Sequence, residues 1–253
     1  MTRCLYRVRD LEVRLAGPTT VLHGVSFDVH EGDVVGLVGR SGVGKSTLLR
    51  ALGGLVDAHD GCVTFGNRAV SRPPDGVVMV FQDYENALLP WRTVGHNVQL
   101  GLEGRLPRTL RRTAAARALE LVGLGDRYDD YPWQMSGGMA QRVQIARALA
   151  VEPAVLLMDE PFGALDAITK ATLQDMLLDV QRALGTTILF VTHDLDEAIY
   201  LSDRVFVLSG KPGAITLALD VALPRARDQV TTRESPAYLG LRRALAEHLR
   251  VAG

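Results

Sequence analysis

The sequence predicts an α/β fold: a parallel sheet flanked by helices, with an N-terminal antiparallel β-layer and a mostly helical insertion. Three observations predict it. Past the leading Asp33 and Thr187, the runs 33–38, 77–81, 155–158 and 187–191 have no polar alternation, the pattern of strands buried on both faces. A helix-length segment from about Ile168 to Leu184 separates the last two, so strand, helix and strand alternate as a right-handed parallel crossover requires. The first third instead alternates apolar with polar residues, as half-buried antiparallel strands do.

In chain order, Leu11, Val13 and Leu15 alternate with Glu12 and Arg14, then Val25, Phe27 and Val29 with Ser26, Asp28 and His30. The buried run 33–38 leads through a glycine-rich loop into a helix from Ser46 to Leu52, stopped by Gly53-Gly54. Val63-Thr64-Phe65, after Asp60-Gly61, rejoins the N-terminal sheet. Beyond Phe81, prolines and glycines punctuate the chain as far as Arg111. A helix over Ala114–Val122 then ends at Gly123, and a second runs from about Met139 to Ala150. Apolar residues alternate again at Ile215, Leu217, Leu219, Val221 and Leu223, before a basic helix near Ala237–Leu249. The expected organisation is one domain, with 1–85 and 151–253 as β-layer and core and 86–150 as a helical subdomain.

Composition narrows the function. With 47% hydrophobic residues and a formal net charge of −1, neither disorder nor strong attraction to nucleic acid is expected. Aromatics are 6% of the chain, with no basic, aromatic-rich run to stack bases, so no nucleic-acid partner is expected. Cys4 and Cys62 make neither a disulfide framework nor a zinc site; they read as reduced thiols of a cytoplasmic protein, Cys62 on a strand. The best membrane-span candidate, Ala146 to Met158, is broken by Arg147 and Glu152-Pro153, and residues 1–7 lack the apolar core of a signal peptide. A membrane role would have to come through a partner.

Three motifs carry chemistry. Gly39-Arg40-Ser41-Gly42-Val43-Gly44-Lys45-Ser46-Thr47 has the G-x-x-x-x-G-K-[S/T] spacing of a phosphate-cradling loop. Lys45 would reach the β- and γ-phosphates, the Ser46 hydroxyl would bind Mg²⁺, and the helix N-terminus adds partial positive charge. The strand 155–158 ends in Asp159-Glu160, at the carboxyl end of a parallel strand where nucleotide enzymes place their acids. Asp159 would hold Mg²⁺ through water, and Glu160 would orient and activate the attacking water. Met135-Ser136-Gly137-Gly138-Met139-Ala140-Gln141-Arg142 opens a helix with a Ser cap and bare backbone, a second anion site. The economical arrangement of two such sites is a head-to-tail pair, each chain's Ser136-Gly137-Gly138 closing on the other's triphosphate. Gln82 and His193 also have a plainer reading as solvated surface residues, and Asp166 as a helix cap.

In their joint order these stretches resemble the ATP-binding cassette family, the ATPase subunits of ABC transporters, over residues 1–225. The resemblance identifies 39–47 as the Walker A loop of a P-loop NTPase with a RecA-like core. It makes Ser136, Gly137, Gly138 and Gln141 the signature motif and Gln82 the Q-loop residue. Pro161 to Asp166 becomes the D-loop and His193 the switch histidine. It implies ATP and Mg²⁺ as cofactors, with Ser46, Gln82 and Asp159 on the metal and Glu160, His193 and Lys45 as catalytic residues. It also implies a second copy, membrane permease subunits, an extracytoplasmic binding protein acting indirectly, and a peripheral place on the cytoplasmic face of the membrane. Leu88 to Val94, Asn97-Val98 and Asp203-Arg204-Val205 look like importer cassettes for nitrate, sulfonate, taurine and related small anions. A switch on ribosomes or DNA, or a P-loop kinase, is the competing reading.

Two further expectations follow. The family places an adenine-stacking aromatic before the second N-terminal strand, but that position here is Leu15 or Ala16, and Tyr6 comes too early. Leu88, Leu89 and Trp91 follow the Q-loop, where a permease's coupling helix would insert; packing within the insertion is the alternative.

Overall fold

The computed structural model describes residues 3–14, 19–82, 87–163 and 165–251 of the 253. The chain begins with β1 (Cys4–Arg14), β2 (Thr20–His30), β3 (Val34–Val38), α1 (Lys45–Leu52), β4 (Asp60–Phe65), β5 (Arg68–Ala69) and β6 (Val77–Val80). The helices α2 (Val94–Val98), α3 (Arg108–Leu121) and α4 (Gly137–Leu149) lie between β6 and β7 (Val155–Asp159). After them come α5 (Ala167–Leu184), β8 (Thr187–Thr192), α6 (Leu195–Leu201), β9 (Arg204–Ser209), β10 (Ala214–Asp220), α7 (Thr231–Glu234) and α8 (Pro236–Val251). None of these helices is long and apolar enough to cross a membrane.

The strands form two sheets. An antiparallel sheet has the order β2-β1-β4-β5; the other runs β10-β9-β3-β8-β7-β6, parallel except for its edge strand β10. The unalternating apolar runs follow from this layering. In β7, Val155 and Leu157 face the core beneath the antiparallel sheet, while Leu156 and Met158 face the core beneath the helices. In β8, Leu189 and Val191 share the first core, and Ile188 and Phe190 the second. A strand with an apolar layer on each side has no solvent face, so no polar alternation survives.

β6 departs from its expectation. Val78 packs on one core and Val77 and Met79 on the other, but only Val80 is fully buried, because β6 is the sheet's edge. Phe81 lies past the strand and is 45% exposed. β1 starts earlier than the alternation from Leu11 suggests. The register shifts between Val8 and Leu11, where Asp10 has φ +47°, and this bulge resets which residues point inward. Tyr6 and Val8 are thus buried with Leu11 and Val13, despite the even spacing from 6 to 8 and the odd step to 11. α3 begins at Arg108, one turn and more before Ala114, because its opening residues hold arginines of good helix propensity but no buried apolar side chain that would show a helical period. Cys62 is exposed on β4, and both thiols are free.

Candidate active site

The predicted residues stand just past the carboxyl ends of four adjacent parallel strands: the loop 39–44 after β3, His193 after β8, Glu160 after β7 and Gln82 after β6. That edge is where parallel sheets open to a ligand.

The loop keeps its shape because two of its positions tolerate no side chain. A Cβ on Gly39 would lie 2.3 Å from the Leu208 carbonyl oxygen, and Gly44 holds φ +106° at the N-cap of α1. No side chain caps α1, so its first-turn N–H groups remain available to an anion. Arg40, Ser41 and Gly42 are exposed around the loop, Val43 is buried, and Thr47 is half-buried on α1. Lys45 is buried, with its Nζ donating to the carbonyls of Gly39 at 2.8 Å and Arg40 at 3.1 Å. Burial lowers its pKa, against the opposing charges of Glu160 and Asp159.

Across the sheet edge, Ser46 Oγ donates to Asp159 Oδ1 at 2.8 Å. Among the described residues no group of three or more His, Cys, Asp or Glu side chains could hold a metal ion. The Ser46 hydroxyl and the Asp159 carboxylate are hard oxygen donors side by side, which suits a cation that takes its remaining ligands from phosphates and water, as Mg²⁺ usually does.

Glu160 is the centre of the arrangement. Its Oε2 lies 3.3 Å from His193 Nδ1 and accepts from Gln82 Nε2 at 3.5 Å. Its backbone sits at φ +45°, a left-handed conformation costing a non-glycine residue about 1–3 kcal/mol, while its N–H donates to the Val191 carbonyl at 3.1 Å. The bond to β8 holds the carboxylate where the regular strand would have carried it past.

His193 is steadied by residues the sequence did not single out. The Thr192 hydroxyl bonds to the Glu197 carboxylate, and the Asp194 N–H donates to Thr192 Oγ1 at 3.0 Å. Lys170 Nζ reaches Glu197 at 2.7 Å and Asp194 at 3.3 Å. Burial would lower the Lys170 pKa, but its hydrogen bond and ion pair with Glu197, helped by Asp194, raise it instead. The only sequence hint was that Thr192 and Asp194 flank His193.

The second anion site stands apart. Ser136 caps α4, its Oγ accepting from the Met139 N–H at 3.3 Å, and Ser136 and Gly137 are exposed. Gly138 is buried, and a Cβ there would lie 2.3 Å from Thr169 Cγ2, so the second glycine serves the packing of α4 on α5. Gln141, grouped with this motif in the sequence, turns inward. It is 1% exposed on the buried face of α4, and neither its Nε2 nor its Oε1 has a hydrogen-bond partner among the described residues, whereas Ser136 and Gly137 stand open. Asp166 caps α5 by accepting from the Ile168 and Thr169 N–H groups, and the Thr169 bonds hold its carboxyl below the usual carboxylate range. Among the described residues, no hydrogen bond joins 136–141 to the loop 39–47.

Leu15 and Ala16 lie outside the described residues. Tyr6 cannot serve as the adenine platform, because it is fully buried in β1 with its hydroxyl donating to the Leu52 carbonyl at 2.8 Å.

Residues 22–163 match the family model described as ABC transporter. The nitrate transport protein NasD of Klebsiella oxytoca is 43% identical over 239 residues, covering 92% of this chain and 90% of that protein. The chain belongs to the ABC transporter family. The cassette thus binds and hydrolyses ATP as an enzyme of that family. The nitrate import ATP-binding protein NrtC of Synechococcus elongatus is 44% identical over 92% of the cassette, which spans only 36% of that longer protein. The bicarbonate transport ATP-binding protein CmpD of Synechocystis sp. is 44% identical over 89% of the cassette and 81% of its own length. Among solved structures, the cassette resembles cbiO1 of Clostridium perfringens, part of the transporter complex cbiONQ, with a TM-score of 0.79 at 27% identity over 98% and 93% of the two chains. It also resembles a dimeric post-hydrolysis state of the cassette MJ0796 bound to ADP and Pi, with a TM-score of 0.73 at 30% identity over 87% and 100%.

With Tyr6 in the core, affinity should rest on the triphosphate, whose contacts ignore the base. Competition binding is expected to show less than about tenfold preference for ATP over GTP, under roughly 1.4 kcal/mol. A tyrosine placed over the base should tighten both, since stacking on nucleic-acid binders is worth about 1–3 kcal/mol and tolerates any base. A strong ATP preference would show that another group reads the adenine.

Proposed function

We propose that the cassette is the ATPase subunit of an importer for a small anion of the nitrate and bicarbonate kind, with sulfonates and taurine in the same substrate class. The carrying observation is its identity of 43–44% with nitrate and bicarbonate transport cassettes over about nine-tenths of its length. Two copies close head-to-tail, the exposed Ser136 and Gly137 of each meeting the ATP held by the other's loop 39–47. Their places on different parts of the fold, the loop after β3 and the start of α4, support that arrangement, as does the dimer formed by MJ0796.

In hydrolysis, Lys45 exchanges the Gly39 and Arg40 carbonyls for the β- and γ-phosphates, a charge-assisted contact. Glu160 accepts a hydrogen bond from the attacking water and orients it toward the γ-phosphorus. His193 supports the γ-phosphate, and Gln82, already beside Glu160, reports its presence to the segment that follows β6. Ser46 and Asp159, with Gln82, would hold Mg²⁺, which when bound neutralises charge on the phosphates. ATP bound between two chains favours the closed pair, and that population shift would drive the permease.

The anticipated docking segment divides. Leu88 packs in the core at 5% exposure, Leu89 is half-buried, and Trp91 is 71% exposed. Leu88 is therefore withdrawn from the docking surface; its neighbour Asn97, bonded to both the N–H and C=O of Leu89, pins the turn that presents Trp91. Trp91→Ala is expected to weaken co-purification with the permease while basal ATPase and thermal stability hold. Loss of folding would return Trp91 to a packing role.

Proteoliposomes with the cassette, its permease and binding protein test the whole reading. Uptake of labelled nitrate or bicarbonate, driven by internal ATP and abolished by Glu160→Gln, is expected. A cassette that co-purifies with ribosomes or DNA and with no hydrophobic subunit would be a switch instead.

A further inference from the structure

The insertion carries a charge pattern that neither hydrolysis nor pairing uses. Between Glu103 and Glu120 the chain has five arginines (105, 108, 111, 112 and 117) and no carboxylate, although the whole protein has a net charge of −1. Arg105, Arg108, Arg112 and Arg117 are exposed. Arg108, Arg111 and Arg112 fall three and four residues apart at the start of α3, so they share one helix face. Leu106, beside Arg105, is 38% exposed, whereas Leu110, two residues from Arg108 and from Arg112, stands on the opposite side of α3.

This face is tied to the loop that carries Trp91. Arg92 Nη1 lies 2.5 Å from Glu103 Oε1, and Arg111 Nη1 lies 4.0 Å from that same oxygen. Glu103 thus fixes the start of the arginine-bearing segment against the neighbour of the most exposed aromatic ring in the insertion. Its negative charge is already matched there and Arg112 lies over the Tyr128 ring at 4.8 Å, which leaves Arg105 and Arg108 as the outer arginines without an acidic partner on the same segment.

We propose that this corner of the cassette rests on the anionic headgroups of the membrane, Arg105 and Arg108 meeting lipid phosphates while Leu106 enters the interface. Clustered arginines beside an exposed leucine and a tryptophan are the composition of interfacial segments, in which basic charge and buried apolar area act together. Water-facing helices normally alternate charge sign, and this one does not. The proposal rests on the permease docking through Trp91 proposed above, but it assigns the lipid, not the permease, as the arginines' partner. Such contacts would add avidity to a permease docked through Trp91, because one attachment raises the effective concentration of the other.

The test uses the isolated cassette, with no permease. It is sedimented with vesicles of phosphatidylcholine alone or of phosphatidylcholine with phosphatidylglycerol. Binding is expected only to the anionic vesicles and is expected to weaken with added salt. Arg105→Gln with Arg108→Gln should lower the vesicle partition coefficient by about fivefold per charge, roughly 25-fold together, with basal ATPase unchanged. Leu106→Ser should weaken binding at any salt concentration. Equal sedimentation with neutral and anionic vesicles, or undiminished binding by the double variant, overturns the proposal. Absence of vesicle binding, with permease assembly lost in the double variant, would reassign these arginines to an acidic protein surface. Because the vesicle measurement needs neither transport nor a permease, its failure is separable from failure of the importer reading.

Discussion

Glu160→Gln is expected to lower ATP turnover by about two to four decades while leaving nucleotide binding in place. Gln has the shape of Glu and keeps one acceptor oxygen, with a donor amide in place of the other, so the backbone at φ +45° gains no new strain and the N–H bond to Val191 stays. What is lost is the anionic oxygen that both His193 and Gln82 approach, and with it the acceptor for a proton of the attacking water. A cassette that binds but cannot hydrolyse should accumulate as the closed pair, visible as an ATP-dependent dimer on size-exclusion chromatography. Wild-type turnover in this variant would remove Glu160 from the base role. Glu160→Gly separates chemistry from fold. It should lose turnover equally, yet raise the melting temperature, because glycine accepts the left-handed backbone without strain.

Lys45→Ala is expected to lose binding and hydrolysis together. A hydrogen bond to a charged group contributes about 1.5–3 kcal/mol, so ATP affinity should fall roughly ten- to a hundredfold. Isothermal titration with a non-hydrolysable analogue would measure it. The nucleotide-free protein should not suffer. Lys45 is a buried cation held against two loop carbonyls, and burial already disfavours its charged form. Replacing it removes that desolvation cost, so the melting temperature should hold or rise. A variant that binds ATP normally would exclude Lys45 from the phosphate site, whereas a fall in melting temperature would make its role structural.

These two substitutions probe features that were unequally legible. The loop from Gly39 to Thr47 could be read directly, because a phosphate cradle is made of consecutive residues and its glycines serve local backbone geometry. The strand ends were legible for a similar reason: a strand buried on both faces shows its apolar run without reference to any partner. So did the helix caps at Ser136 and Asp166, which act on N–H groups two or three residues away.

Edges and junctions were not legible. The apolar run 77–81 reads like the runs at 155 and 187, yet only neighbours in space make β6 an edge strand, and Phe81 emerges into solvent as a result. The bulge at Asp10 hid the first part of β1, since alternation is counted along the chain while inward direction is set across the sheet. Gln141 and Leu88 belong to motifs that suggest contact with partners, but helix phase and core packing turned both inward.

The sequence by itself determined that this chain is a nucleotide-binding α/β protein of the ABC transporter family. Those signals are short, local and bound to backbone conformation. Only the tertiary structure decided that Gln82 and His193 meet at one oxygen of Glu160, that Lys170 and Glu197 hold the loop of His193, and that Tyr6 is a core residue. Each of these joins residues from separate strands or helices. Such contacts exist only once the sheet order β3-β8-β7-β6 has brought the strand ends side by side, and no spacing along the chain encodes that order.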